Sequence, residues 1–306
     1  MASRVARVVV ALALVACLAP AATASARALP KIGIADQKAD MFSDGRFTSL
    51  GIGHARRLVP WDVLRYRAQR VELDGWMAGA AAHGIDPLIT FGRSRVRGGS
   101  RPSPRRLRRE FRAFRTRYPG ARTFATWNEV NYCRENVCRR AGLVAAYYRA
   151  LRRECRRCTI LAAELLDLPS MFGWMRSFRR ELGYMPRLWG LHNYFEVNRL
   201  QTARLREMLR LMGPRGRLWL TETGGLVRRS KNGGRPIREG ARHAARVTRF
   251  IFDRLVKRNR RIRRVYIYHW NAGPPSTNWD SALITYGGRA RGAFWVLRRV
   301  LGFGPQ

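Results

Sequence analysis

Two hydrophobic periods alternate along this chain. Apolar, β-prone runs at positions 31–35, 55–59, 87–91, 123–127, 159–165, 188–194, 218–221 and 264–269 read as buried strands. The stretches between them carry a helical period instead. In TARLREMLRLMG, Leu205, Met208, Leu209 and Met212 fall on one stripe, and RAGLVAAYYRALRREC, ARHAARVTRFIFDRLVKRN and RGAFWVLRRVLG show the same spacing. Such stripes are core packing rather than cofactor sites. The helix expected after Asp36 has the least regular pattern, and no Gly/Ser linker divides off a second domain.

Strands alternating with helices predict an α/β fold. The choice lies between a (β/α)8 TIM barrel and a doubly wound open sheet. An open sheet wants a glycine-rich phosphate loop after its first strand, and GIADQKADMF offers none. The barrel is therefore expected, with its reactive groups at the C-terminal strand ends.

The N-terminus changes the domain bounds. Two arginines precede an apolar core from Val8 to Leu18, and small residues follow to Ala26. This pattern predicts a secretory signal peptide over residues 1–26, and a single catalytic domain over 27–306 in a secreted chain. A membrane anchor would need about 20 apolar residues, and no later segment is long enough to span a bilayer. Secretion in turn bears on the cysteines. Cys133, Cys138, Cys155 and Cys158 form an even set, for which two local disulfides, Cys133–Cys138 and Cys155–Cys158, are preferred over zinc ligation. No metal or cofactor is expected, and the protein is read as a monomer.

The net charge of +40 is carried almost wholly by arginine, since only Lys31, Lys38, Lys231 and Lys257 are lysines. Such a surface can steer polyanions. In the densest run, PRRLRREFRAFRTRYPG, the residues Leu107, Phe111, Phe114 and Tyr118 keep helical spacing, which predicts an amphipathic helix with a solvated basic face. No nucleic-acid recognition motif accompanies it.

Acidic residues are scarce, 20 in all, so carboxylates at the ends of apolar strands stand out. TWNEVN ends the fourth strand with Asn128 and Glu129. LTETGG ends the seventh with Glu222. GLHNYFEVN places His192 and Tyr194 on the sixth, YIYHWNAG places Trp270 on the eighth, and HARRLVPWD offers Arg56 or Arg57 on the second. Arg56 is preferred, because His54 and Leu58 make a plausible inward row with it. Glu164 and Asp167, on or just after the fifth strand, are read as structural or rim groups, and Trp61, Trp174 and Trp279 as packing groups. Two carboxylates facing each other across a barrel mouth suit glycosidic bond cleavage, one protonated and one ionised.

These segments resemble clan A glycoside hydrolases. TWNEVN is similar to the Asn-Glu signature on strand four of that clan, LTETGG to its strand-seven nucleophile segment, and NWDSALITYGGRARGAFWVLRRVL to the closing segment of its bacterial single-barrel members. The resemblance implies a retaining glycosidase cutting a β-linked oligo- or polysaccharide, possibly acidic. It makes Glu129 the general acid/base, with a less polar setting beside Trp127 raising its proton affinity, and Glu222 the nucleophile. Asn128 would hold the 2-hydroxyl, Tyr194 would orient Glu222, His192 would line the subsite, Trp270 would form its floor, and Arg56 would keep Glu222 ionised. Val130 stands where the clan often has proline. The alternative is a secreted barrel that binds glycan or polyanion without catalysis.

Overall fold

The computed structural model describes residues 29–229 and 237–304; the expected signal peptide lies outside them. Nine parallel strand segments form one sheet: β1 (Lys31–Ala35), β2 (His54–Pro60), β3 (Asp86–Gly92), β4 (Thr123–Ala125), β5 (Thr159–Leu161), β6 (Glu164–Leu166), β7 (Leu188–His192), β8 (Arg217–Thr223) and β10 (Ile262–Tyr268). A separate antiparallel ribbon joins β9 (Arg228–Arg229) to β11 (Trp279–Asp280). The sheet order runs β5-β4-β3-β2-β1-β10-β8-β7-β6. Its two ends, β5 and β6, are successive pieces of one strand interrupted only at Ala162 and Ala163. Ala162 N–H donates to Leu188 O at 3.0 Å, so the chain crosses from one neighbour to the other at that break and closes the barrel. The single strand expected over 159–165 is thus two segments.

Helices α1 (Gly45–Thr48), α2 (Arg67–Ala82), α3 (Pro104–Arg117), α4 (Ala141–Glu154), α5 (Met171–Leu182), α6 (Tyr194–Val197), α7 (Ala203–Leu211), α8 (Ala241–Phe250) and α9 (Gly292–Val300) lie between and after the strands. The irregular segment after Asp36 yields only a 3-10 turn and the one-turn α1. α3 begins as its sequence dictates: the Ser103 side chain caps the Arg106 N–H, and Pro104 opens the first turn. Its apolar stripe packs on the outer wall, with Phe111 and Phe114 edge-on to Phe91 and Phe124. The arginines face outward, Arg108 and Arg112 paired with Glu154 and Arg117 with Asp74.

Two apolar layers result from strand alternation. A small inner cluster of Ala35, Leu88, Ala125, Leu161, Trp219 and Tyr266 fills the barrel, while the large outer cluster lies between strands and helices. The inner cluster supports the polar residues above it, at the C-terminal strand ends. Among the described residues no helix is long and apolar enough to cross a membrane.

Candidate active site

Arg56 stands one pleat above the inner cluster on β2 and is fully buried. Its guanidinium gathers the mouth together. Nε and Nη2 donate to Glu164 at 2.9 and 2.5 Å, Nη1 to Glu222 at 2.5 Å, and Nη2 also to Asn128 Oδ1 at 3.0 Å. Burial alone would weaken this cation, but the charges of Glu164 and Glu222 reverse that and raise its proton affinity. Arg57 points the other way, over the Trp76 ring at 5.7 Å and towards Glu72 of α2, so the alternation between the two arginines resolves as the pleat requires.

Glu222 reaches the mouth through an irregularity. Trp219 belongs to the inner cluster, and Thr221 packs towards Gly190, so simple alternation would turn Glu222 outward. The ladder between β7 and β8 shifts register after Leu191, pairing Leu191 with Leu220 but His192 with Glu222. That bulge re-aims the carboxylate inward. Tyr194 O–H then donates to Glu222 Oε2 at 3.0 Å. The sequence places Tyr194 on the sixth strand, but β7 ends at His192 and Tyr194 opens α6.

Glu129 also lies beyond its strand. The β4 ladder stops at Ala125, and the chain continues by alternate bonds: Asn128 N–H to Phe91 O at 2.8 Å, then Val130 N–H to Glu164 O at 3.0 Å. Between them Glu129 adopts φ +35°, a conformation costing a non-glycine residue on the order of 1 kcal/mol or more. Its carboxylate meets His192, with Nδ1 3.0 Å from Oε1. Trp127 is not its neighbour in the sense expected, for that ring stacks on Tyr147 within the outer layer and its Nε1 donates to Glu135 O.

Glu129, His192 and Glu222 thus converge, with one carboxylate or ring atom from each lying within 4.8 Å of the others. These three could chemically hold a metal ion. However, Arg56 and Tyr194 each donate to one oxygen of Glu222, so a metal there would sit beside the buried Arg56 guanidinium, whose like charge opposes it.

Trp270 is a correction. Its ring is fully buried in the outer layer, edge-on to Phe47 at 5.4 Å and Phe294 at 5.9 Å, with Nε1 donating to Asp44. β10 ends at Tyr268, two residues earlier, and Trp270 N–H is anchored on Asp36 Oδ2 at 2.8 Å, so counting alternate positions past the strand end fails. The aromatic facing the mouth is Tyr268, partly exposed and 6.4 Å from the Tyr194 ring, with Trp279 of the ribbon 4.8 Å from Tyr194 on another side. Trp61 and Trp174 are buried packing groups.

Two carboxyls are more central than the sequence suggested. Glu164 is no rim group but fully buried beneath the mouth, held by Arg56, by the Thr90 hydroxyl at 3.0 Å and by His192 Nε2 at 3.4 Å. Burial opposes its charge, yet Arg56 and His192 prevail and hold it down at about 2. Gly190 makes this possible, since a Cβ there would fall 2.7 Å from Glu164 Cγ. Asp167, by contrast, does what was expected of it, accepting the Phe195 and Glu196 N–H groups at the start of α6. The second carboxyl, Glu135, lies in the loop closed by the Cys133–Cys138 disulfide; Cys155–Cys158 forms the other bridge. Burial, and then the charge of Glu129, push Glu135 up to about 7.

No family model and no curated protein sequence matches the chain. Solved structures do. A family 39 glycoside hydrolase from the gut symbiont Bacteroides cellulosilyticus is similar with a TM-score of 0.62 at 13% identity over 89% of this chain, which spans 64% of that one. A GH10 endoxylanase from a sugarcane soil metagenome reaches 0.65 at 12% identity, covering 89% of this chain and 97% of its own. A GH5_18 protein from Streptomyces cattleya, solved with Manβ1-4GlcNAc, reaches 0.63 at 14% identity over 89% of this chain and 80% of its own. At such identities the likeness establishes the (β/α)8 fold.

Proposed function

We propose that the protein is a retaining glycoside hydrolase acting on a β-linked glycan, with Glu222 as nucleophile and Glu129 as general acid/base. The observation that carries this reading is the pairing of those two carboxylates. They approach within 4.8 Å across the mouth, in unlike environments. Retaining enzymes hold their carboxyl groups about 5–5.5 Å apart, whereas inverting ones leave about 6.5–9.5 Å for a water.

The environments suit the two roles. Arg56 and Tyr194 both donate to Glu222, which fixes the carboxylate and aims it at an anomeric carbon. Glu129 faces a histidine that can share a proton with it. In the first half-reaction Glu222 attacks the anomeric carbon while Glu129 protonates the leaving oxygen. In the second, Glu129 takes a proton from water, which displaces Glu222. Asn128 spends its carbonyl on Arg56, so its amide group is the side that would donate to the sugar 2-hydroxyl. Tyr268 takes the stacking role expected of Trp270. Similar solved structures being glycoside hydrolases supports the reading, and the two disulfides support secretion.

Glu222→Ala and Glu129→Ala test it on a panel of aryl glycosides. Each variant should lose nearly all turnover, and azide should restore it, giving products of opposite anomeric configuration. Full activity in either variant sinks the assignment.

A further inference from the structure

His192 is fully buried, and both of its ring nitrogens face carboxylates. Nδ1 is 3.0 Å from Glu129 Oε1 and 3.8 Å from Glu222 Oε2. Nε2 is 3.4 Å from Glu164 Oε2, an ion-pair distance outside hydrogen-bond geometry, and makes no hydrogen bond to any group. Behind these acids stand Arg56, bonded to Glu164 and Glu222, and the Tyr194 hydroxyl, bonded to Glu222. The ring therefore meets acceptors on both edges.

That arrangement constrains where protons lie. An imidazole nitrogen without hydrogen presents a lone pair, and a lone pair against an ionised carboxylate is repulsive. Glu164 is held ionised, clamped by Arg56 through two nitrogens and by the Thr90 hydroxyl. Nε2 must then carry hydrogen. At the other edge Nδ1 and Glu129 Oε1 are two basic atoms at hydrogen-bond distance, with place for one proton between them.

We propose that Glu164 acts through His192 as a positioning residue: it fixes a hydrogen on Nε2, and so leaves one further proton shared between Nδ1 and the Glu129 carboxyl, which is the proton delivered to the leaving oxygen. The delivery clause rests on the glycosidase reading; the proton placement does not. When the shared proton moves, the Nδ1–H bond breaks, an O–H bond forms on Glu129, and the ring becomes neutral with Nε2–H still facing Glu164. Departure of the leaving group breaks that O–H bond. In the second half-reaction the proton released by water returns to the pair. Burial opposes a charged ring, but Glu222, Glu129 and Glu164 together reverse this and raise His192 to about 10.

The test is histidine 15N NMR of the full chain, with the His192 signals identified by their loss in His192→Gln. In the unsubstituted protein Nε2 should stay protonated from about pH 5 to about pH 8. Glu164→Gln removes the charge facing Nε2, so the His192 midpoint should fall by about 1–3 pH units, and the basic limb of kcat/KM with it. An unprotonated Nε2 near neutral pH overturns the proposal, as does a Glu164→Gln protein with midpoint and limb unmoved. Should that variant fail to fold, the spectrum of the unsubstituted protein decides alone. A protonated Nε2 in a protein that cleaves no glycoside supports the proton placement and overturns the delivery to sugar.

Discussion

Replacing Arg56 by methionine keeps most of the stem volume and removes the guanidinium that Glu164, Glu222 and Asn128 share. Glu164 is fully buried and held at about 2, against an ordinary 4.5, because Arg56 and His192 outweigh the burial that would raise it. A difference of that size is on the order of 3 kcal/mol of native-state stability. Since the folded value lies below the unfolded one, this contribution is fully present above about pH 4.5 and is lost as pH falls through about 2. In Arg56→Met a buried carboxylate keeps its charge without its main partner, which costs about 3–5 kcal/mol near neutrality. For a chain of this size Tm should drop by roughly 6–20 °C. Without the guanidinium, burial leads and Glu164 takes up a proton at higher pH, so the deficit should shrink on acidification. The assay is Tm against pH, from about 7 to about 3, by circular dichroism at fixed ionic strength for both proteins. Asp44, Asp86 and Glu154 also titrate below their ordinary values, but they do so in both proteins and cancel in the difference. A Tm deficit that stays constant or widens towards acid pH refutes the reasoning.

Two further outcomes follow, one from a carboxyl beside the mouth and one from the outer layer. Burial, and then the charge of Glu129, push Glu135 up to about 7, so this carboxyl gains its charge beside the mouth only as pH rises through that value. Glu135→Gln should therefore remove an inflection near pH 7 from the profile of kcat/KM, and superimposable pH profiles would count against this ionisation. Trp270→Phe removes the Nε1 bond to Asp44 and leaves a gap between Phe47 and Phe294. It should cost about 1–3 kcal/mol in denaturant unfolding with KM unchanged, and a raised KM at unchanged stability would restore Trp270 to the substrate floor.

How far the sequence could be read depended on the kind of order each residue obeys. Strand and helix positions follow local periods, so the barrel and its strand centres were legible. Arg56 over Arg57 was legible too, because both lie inside a regular strand where the period of two holds. The misplacements fall where that regularity ends. Trp270 lies past the last ladder residue, Tyr268, and Tyr194 lies past His192, so alternation along the strand does not place either side chain. Glu222 was singled out for its carboxylate in an apolar strand, though the bulge that turns it inward leaves no local signature. The central place of Glu164 is hidden from the sequence for another reason. Its burial depends on partners 108 and 74 residues away, Arg56 and Thr90, and on a glycine gap at Gly190 across a strand pair. The available signal was a lone Glu in an apolar strand, the same signal that singled out Glu129.

The chain's charge and the chemistry of its mouth are two separate problems. The net charge is +40, but the arginines of α3 lie on its outer face, several in pairs with Glu154 and Asp74. Exposed charges are screened over about 8 Å at physiological ionic strength. The mouth is governed instead by buried contacts of 2.5–3.4 Å among Arg56, Glu164, Glu222 and His192, where screening is weak. Arginine in the outer shell can therefore raise the encounter rate with an anionic glycan, an effect that salt erases. The charges buried at the mouth are instead held together by Arg56, the arginine that the β2 pleat turns inward. On the glycosidase reading, salt should consequently act on KM for an acidic substrate and leave kcat nearly alone, because Arg56, Glu164 and His192 are fully buried and already paired.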